Sequence, residues 1–140
     1  MIVLVAVALL SGLYPVRYLA APRWEVWVVD EAGLPLSGVN VRLSYENYSA
    51  ESESHEITLA TDSKGHVLFP DQHGSAFLIQ KVFHTLGAAL GGAHASFGQH
   101  AYVFVFGRGY EGTAVSGEYV TDWSGSPAEM DSKITAKRMN

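Results

Sequence analysis

The stretch Trp24–Tyr45, WEVWVVDEAGLPLSGVNVRLSY, constrains the fold of this 140-residue chain more than any other. Its first part alternates with a period of two: Trp24, Val26 and Val28 fall on one face, and Glu25, Trp27 and Val29 on the other. Asp30–Pro35 breaks the run, with Gly33 free to take a positive φ and Pro35 fixing the exit. Val39, Val41, Leu43 and Tyr45 then alternate with Asn40, Arg42, Ser44 and Glu46, the signature of a half-buried strand. The stretch therefore reads as two strands joined by a short Gly/Pro turn that open a small β-sandwich.

The remainder continues in the same manner. Ile57, Leu59 and Thr61 suggest a strand, Thr61–His66 a tight turn around Gly65, and Val67 and Phe69 a strand ended by Pro70. Residues 76–85, AFLIQKVFHT, read as a further strand, and the Gly-rich 86–99 as a loop across the end of the sandwich. His100–Phe106, HAYVFVF, is apolar on both faces and should be a central strand. Residues 107–112 turn it round, 113–121 form a weaker strand, 122–127 a turn, and 133–139 a charged closing strand suited to an edge. The expectation is an all-β, antiparallel sandwich of seven or eight strands with no internal repeat and no second domain.

Residues 1–16 are almost uninterruptedly apolar, with no charge before Arg17. The run is shorter than the roughly 20 residues needed to cross a bilayer and matches the apolar core of a signal peptide. No basic residue precedes it, and Leu19-Ala20-Ala21 offers only a weak cleavage site. The sequence thus divides into 1–22, an apolar helix acting as signal peptide or N-terminal membrane anchor, and 23–140, the sandwich; the alternative for the apolar run is a buried first strand or helix of the domain. An exported protein is expected, on the periplasmic or extracellular face of the cell envelope, held by a single membrane segment if 1–22 is uncleaved. From Trp24 onward 14 acidic side chains outnumber the basic ones, which argues against nucleic acid or an anionic lipid surface as the main partner. The absence of Cys excludes a disulfide framework and thiolate metal sites.

Val28–Val41, reading VVDEAGLPLSGVNV, resembles the opening V-x-D-x-x-G-x-P-L-x-G-V-x-V pattern of carboxypeptidase regulatory-like domains. Thr61-Asp62-x-x-Gly65 with Phe69-Pro70 is similar to that family's T-D-x-x-G-x-F-x-F-P element, and Phe106–Tyr110 to its later A-x-G-Y turn. The resemblance covers about Trp24 to Tyr110 and implies a prealbumin-like (transthyretin-like) sandwich. These motifs describe turn geometry and carry no chemistry, so what they imply functionally is a binding or structural role.

The sequence offers little for catalysis. Six histidines are present (His55, His66, His73, His84, His94 and His100), but no pair has H-x-H or H-x-x-x-H spacing. The alternative reading, a metal-binding protein or metal-dependent enzyme, would use His73, His94, His100 and nearby acids. Transthyretin-like hydroxyisourate hydrolases carry a His near the opening strand and a terminal Y-R-G-S, and intradiol dioxygenases an R-x-x-H-x-H element for iron; neither set occurs. No G-x-S-x-G nucleophile turn occurs. Gly107–Gly112 spells G-x-G-x-x-G but precedes no helix. A cation site from Glu46, Glu51, Glu53 and Glu56 lacks calcium-loop spacing, and Asn47-Tyr48-Ser49 fits the N-glycosylation pattern. The expectation is a non-catalytic module without cofactor or metal that binds or scaffolds a protein or carbohydrate partner. Its candidate contact residues are Trp123, which sits in a turn, with Tyr110, Tyr119 and Tyr48; of Trp24 and Trp27, at least one should be core.

Overall fold

The computed structural model describes residues 12–51, 53–90, 98–112 and 121–139. In chain order the elements are β1 (Pro15–Ala21), β2 (Arg23–Val29), β3 (Asn40–Asn47), β4 (His55–Ala60), β5 (His66–Phe69), β6 (Gln72–Phe77), α1 (Leu78–Leu90), β7 (Gln99–Gly107), β8 (Tyr110–Gly112), β9 (Asp122–Trp123), β10 (Glu129–Thr135) and β11 (Lys137–Arg138). Two sheets stack into a β-sandwich. The smaller has the order β10-β2-β5 and the larger β11-β8-β7-β3-β4, with β9 pairing β7.

Alternation puts one face of each sheet inside. Trp24, Val26, Val28, Val67, Phe69 and Ile134 of the smaller sheet meet Val41, Leu43, Ala101, Val103 and Val105 of the larger in one buried cluster. At about 1.5–3 kcal/mol for each large apolar side chain removed from water, this layer is the main favourable term in folding. Trp24 is fully buried, and its indole nitrogen donates to Ser132 Oγ at 2.8 Å. Trp27, one pleat-face over, is 40% exposed. Of the two tryptophans, the first is core and the second is surface.

The opening stretch does not fold back on itself. β2 lies in the smaller sheet and β3 in the larger, so Asp30–Val39 crosses between layers, and 61–65 crosses back from β4 to β5. These two crossings are hydrogen-bonded to each other. Thr61 Oγ1 donates to the Leu36 carbonyl at 2.6 Å and accepts from the Val39 amide at 3.0 Å. The Thr61 amide donates to the Val39 carbonyl, and the Thr61 carbonyl accepts from Gly38. Asp30 and Asp62 each cap their own turn: Asp30 Oδ1 accepts from Ala32 and Leu34, and Asp62 Oδ1 from Lys64 and His66. Gly65 combines φ +74° with a close approach, since a Cβ there would sit 2.5 Å from the Val28 carbonyl oxygen. Its own carbonyl accepts from the Val28 amide at 2.7 Å.

Several expectations are corrected. Pro15–Ala21, the last part of the expected apolar 1–22 segment, is not helical. It is strand β1, antiparallel to β6, and Leu19-Ala20-Ala21 lies inside it with Ala20 and Ala21 buried. β1–β6 continues the β2–β5 pair: from Ala21 to Trp24 the partner moves back by the same step, from Gln72 to Phe69. Pro22 and Pro70 interrupt the ladder there, because proline has no amide hydrogen to give. The sandwich is not wholly antiparallel, because β10 runs parallel to β2 as an edge strand. The expected strand over 76–85 ends at Phe77, and Leu78 begins α1. Leu78, Val82, Leu86 and Leu90 recur every fourth residue, and three of the four glycines of 86–99 fall beyond Leu90. The N-terminal helix expected over the first residues and most of the weaker strand over 113–121 lie outside the described residues.

Two predictions follow from the crossing. Thr61→Val keeps the volume and removes both side-chain hydrogen bonds, and should lower unfolding free energy by about 1–3 kcal/mol in urea titration. The two amide donors hold the Asp62 carboxyl below its ordinary value, chiefly the amide of His66. A lowered folded pKa contributes stability above the unfolded value, about 3.9, that is lost as pH falls through the folded one. Wild type should therefore exceed Asp62→Asn in melting temperature at neutral pH, with the difference closing in acid.

Candidate binding face

The outer face of the larger sheet carries an aromatic row built by simple alternation along β7. Ala101, Val103 and Val105 point into the core, so Tyr102, Phe104 and Phe106 point out. Adjacent rings lie 5.9 and 5.8 Å apart between centroids, the first pair stacked and the second tilted. Tyr102 is 46% exposed and Phe104 and Phe106 are half-buried. Arg42, register partner of Phe104 on β3, lays its guanidinium 4.5 Å from the Phe106 ring centroid. The same guanidinium pairs with Glu56 at 2.9 Å, and its Nε donates to Thr58 at 3.2 Å. One end of the row is therefore closed by an engaged cation, while Tyr102 is left open.

Beyond Tyr102 the row runs into a cleft of about 230 Å³ whose lining includes Tyr48, His100, Glu46, Glu56 and Asp122. Tyr48 meets His100 edge-on at 5.4 Å. Its position is set by a turn at the end of β3. The side-chain oxygen of buried Asn47 accepts from the Ser49 amide at 3.0 Å, and its carbonyl accepts from Ala50 and Glu51. The Tyr48 amide donates to Gly98, and the Gly98 amide to Ser49 Oγ, which pins the start of β7 to the same turn. The cleft thus presents aromatic edges, a ring nitrogen and three carboxylates on a rigid sheet, a set suited to stacking and hydrogen bonding with a polar ligand. Asn47 is 2% exposed and occupied as a turn cap, so the glycosylation reading has no accessible acceptor.

Beside this turn, Tyr18 of β1 donates its hydroxyl to Glu51. Burial first, and then the bond and charge of Glu51, push the Tyr18 phenol well above the usual tyrosine range. Burial and Glu51 also raise Tyr45. Glu51 further pairs with His55 at 3.1 Å, so Glu51 and Glu56 are both engaged with side chains of the chain itself.

The outer face of the smaller sheet has a second feature. Trp27 lies between His66 of β5 and Lys133 of β10 in register, with its ring 4.3 Å from that of His66. Trp27, Val29, Asp131, Ser132 and Lys133 line an open groove of about 510 Å³.

The expected contact residues separate. Trp123 is not exposed: β9 pairs it with inward-facing Ala101, its ring is 3% exposed in the core, and its indole donates to the Pro127 carbonyl at 2.6 Å. Tyr110 is partly buried against the core. Tyr119 lies outside the described residues. Tyr48 lines the cleft. Sequence alone does not single out Tyr102, Phe104 and Phe106, because apolarity on both faces of β7 reads as centrality; their size is the signal, since the inward face holds only Ala and Val. Of the metal candidates, His73 pairs with Asp71 at 3.2 Å, His100 sits in the cleft, and His94 lies outside the described residues. Among the described residues no three His, Asp or Glu side chains are gathered to hold a metal ion.

No family model matches the chain, and no curated protein does. Among solved structures it is similar to a 3-chlorocatechol 1,2-dioxygenase from Rhodococcus opacus 1CP, at 14% identity and a TM-score of 0.47. That match covers 86% of this chain, and this chain spans 62% of the dioxygenase.

Asn47→Ala should loosen the cleft through the lost Ser49 bond. Amide exchange at Ser49 and Gly98 should quicken about tenfold, equivalent to about 1.4 kcal/mol, while the core strands keep their protection.

Proposed function

We propose that the chain is a non-catalytic, exported or membrane-anchored sandwich module that binds a partner across β3 and β7 of its larger sheet. The partner class is a protein or carbohydrate of the cell envelope. The observation that carries the reading is the outward aromatic row ending in the Tyr48–His100–Tyr102 cleft. Such rings add nothing to the core, and aromatic side chains on a rigid sheet offer large contact area at little entropic cost. The carboxylates of Glu46 and Asp122 supply acceptors for hydroxyl or amine groups on a ligand stacked against Tyr102. We also read the domain as carboxypeptidase regulatory-like. Supporting this are the duties of Asp30, Gly33, Gly38, Thr61, Asp62 and Gly65, whose side chains or positive φ values build the turns that the motif spells.

The test is a comparison of wild type with Tyr102→Ser/Phe104→Ser, both as full-length chains of matched unfolding midpoint. A panel of envelope polysaccharides and affinity capture from envelope extracts should give a partner that binds the variant at least about tenfold more weakly, about 1.4 kcal/mol. A partner held equally by both proteins would place binding elsewhere.

A further inference from the structure

Where β1 and β6 end, the chain leaves the sandwich as two apolar segments side by side. Pro15 pairs with Phe77, so Tyr14 and Leu78 depart from one place. On one side α1 exposes Leu78, Val82, Leu86 and Leu90 as a stripe, Leu90 at 89%, with Phe83 beside it at 67%. On the other side Leu13 and Tyr14 are exposed, and Gly12 packs against Ile79 of α1. The sequence before Gly12 is eleven residues long and contains no charge.

Charge is segregated in the same sense. No acidic residue occurs before Glu25 or between Gln72 and Tyr110. The charged side chains before Glu25 are Arg17, exposed on β1, and Arg23, and the one between Gln72 and Leu90 is Lys81. With these three set aside, the net charge of −5 becomes −8, all carried by the rest of the chain. The acidic excess that argues against an anionic lipid surface for the chain as a whole lies outside these stretches of sequence, and a lipid surface accepts the apolar stripe, with exposed Arg17 and Tyr14 suited to its headgroup boundary.

We infer that α1, with Leu13, Tyr14 and Phe77, is a lipid-inserting element that dips into one leaflet of a bilayer. No helix among the described residues is long and apolar enough to cross a membrane. At 13 residues α1 is about 20 Å long at 1.5 Å per residue, against a hydrocarbon core of about 30 Å. After Leu90 the chain must return within seven residues to Gly98, which is bonded to Tyr48 and Ser49 on the sandwich. The helix therefore enters and leaves from the same side, as an interfacial helix does.

The test is vesicle flotation of the full-length chain with liposomes of about three parts phosphatidylcholine to one part phosphatidylglycerol, and of phosphatidylcholine alone. Wild type should float with both and more strongly with the anionic ones. Phe83→Glu/Leu86→Glu, with the N-terminal segment intact and near-ultraviolet dichroism unchanged, should partition at least about tenfold less. Phe83→Trp, measured against wild type, should gain a fluorescence component that brominated lipid quenches. Equal flotation of the double variant and wild type would leave anchoring to the N-terminal segment alone and overturn the inference. So would a lipid-independent dimer that the double variant dissolves, or no quenching of the new tryptophan, which reads the proposal even if the charged variant misfolds.

Discussion

The hydrogen bonds of Thr61 to the segment Leu36–Val39 hold the two sheets in one register. The chain crosses between layers at 30–39 and again at 61–65, and each crossing is a turn that could slide if it stood alone. Thr61 makes two backbone and two side-chain bonds to the first crossing while being part of the second. It is 4% exposed, so these groups have little water to replace a lost partner. Once this corner is set, Val28 is bonded to Gly65, and β2 and β5 pair over Trp24–Trp27 against His66–Phe69. The Trp24–Phe69 layer then faces Val41, Leu43 and Val103. The core supplies most of the driving force, and the corner selects which strands may share it.

The same pair continues outward past Pro22 and Pro70 as the β1–β6 ribbon, which Tyr18 helps to hold against the sandwich. Tyr18 lies across Gly74, where a Cβ would come within 2.5 Å of its ring, and donates to Glu51 on the turn that ends β3. Tyr18, Ala20, Ala50 and Ala76 form a small second core there. The ribbon thereby joins the aromatic and acidic cleft of the larger sheet to the apolar pole at α1.

Much of the fold could be read from the sequence because its turn residues do local work. Asp30, Gly33, Asp62 and Gly65 act within a few residues of themselves, so their spacing is enough to place them. What escaped depends on distant partners. Pro15–Ala21 falls in the apolar 1–22 segment of the sequence, and its strand is visible only with β6 there to pair with it. Trp123 reads as exposed because the Asp122–Pro127 turn is polar, yet its neighbour across β7 is an inward position. In α1, β-forming Val82 and Phe83 suggested a strand, while the spacing of four through Leu90 decides for helix. The candidate site was legible only through Tyr48, because alternation alone does not say which face of β7 is wet.

A corner at Thr61 that holds the two sheets together is the last part of the sandwich to open. Native-state amide hydrogen exchange measures this directly. The amides of Val28, Gly38, Val39 and Thr61 should exchange only with global unfolding, with the same free energy and denaturant slope as Val103 at the centre of the core. Exchange of Gly38 and Thr61 through a low-energy local opening, while Val26 and Val103 stay protected, would contradict it and reduce the corner to an ornament on a sandwich held by its core alone.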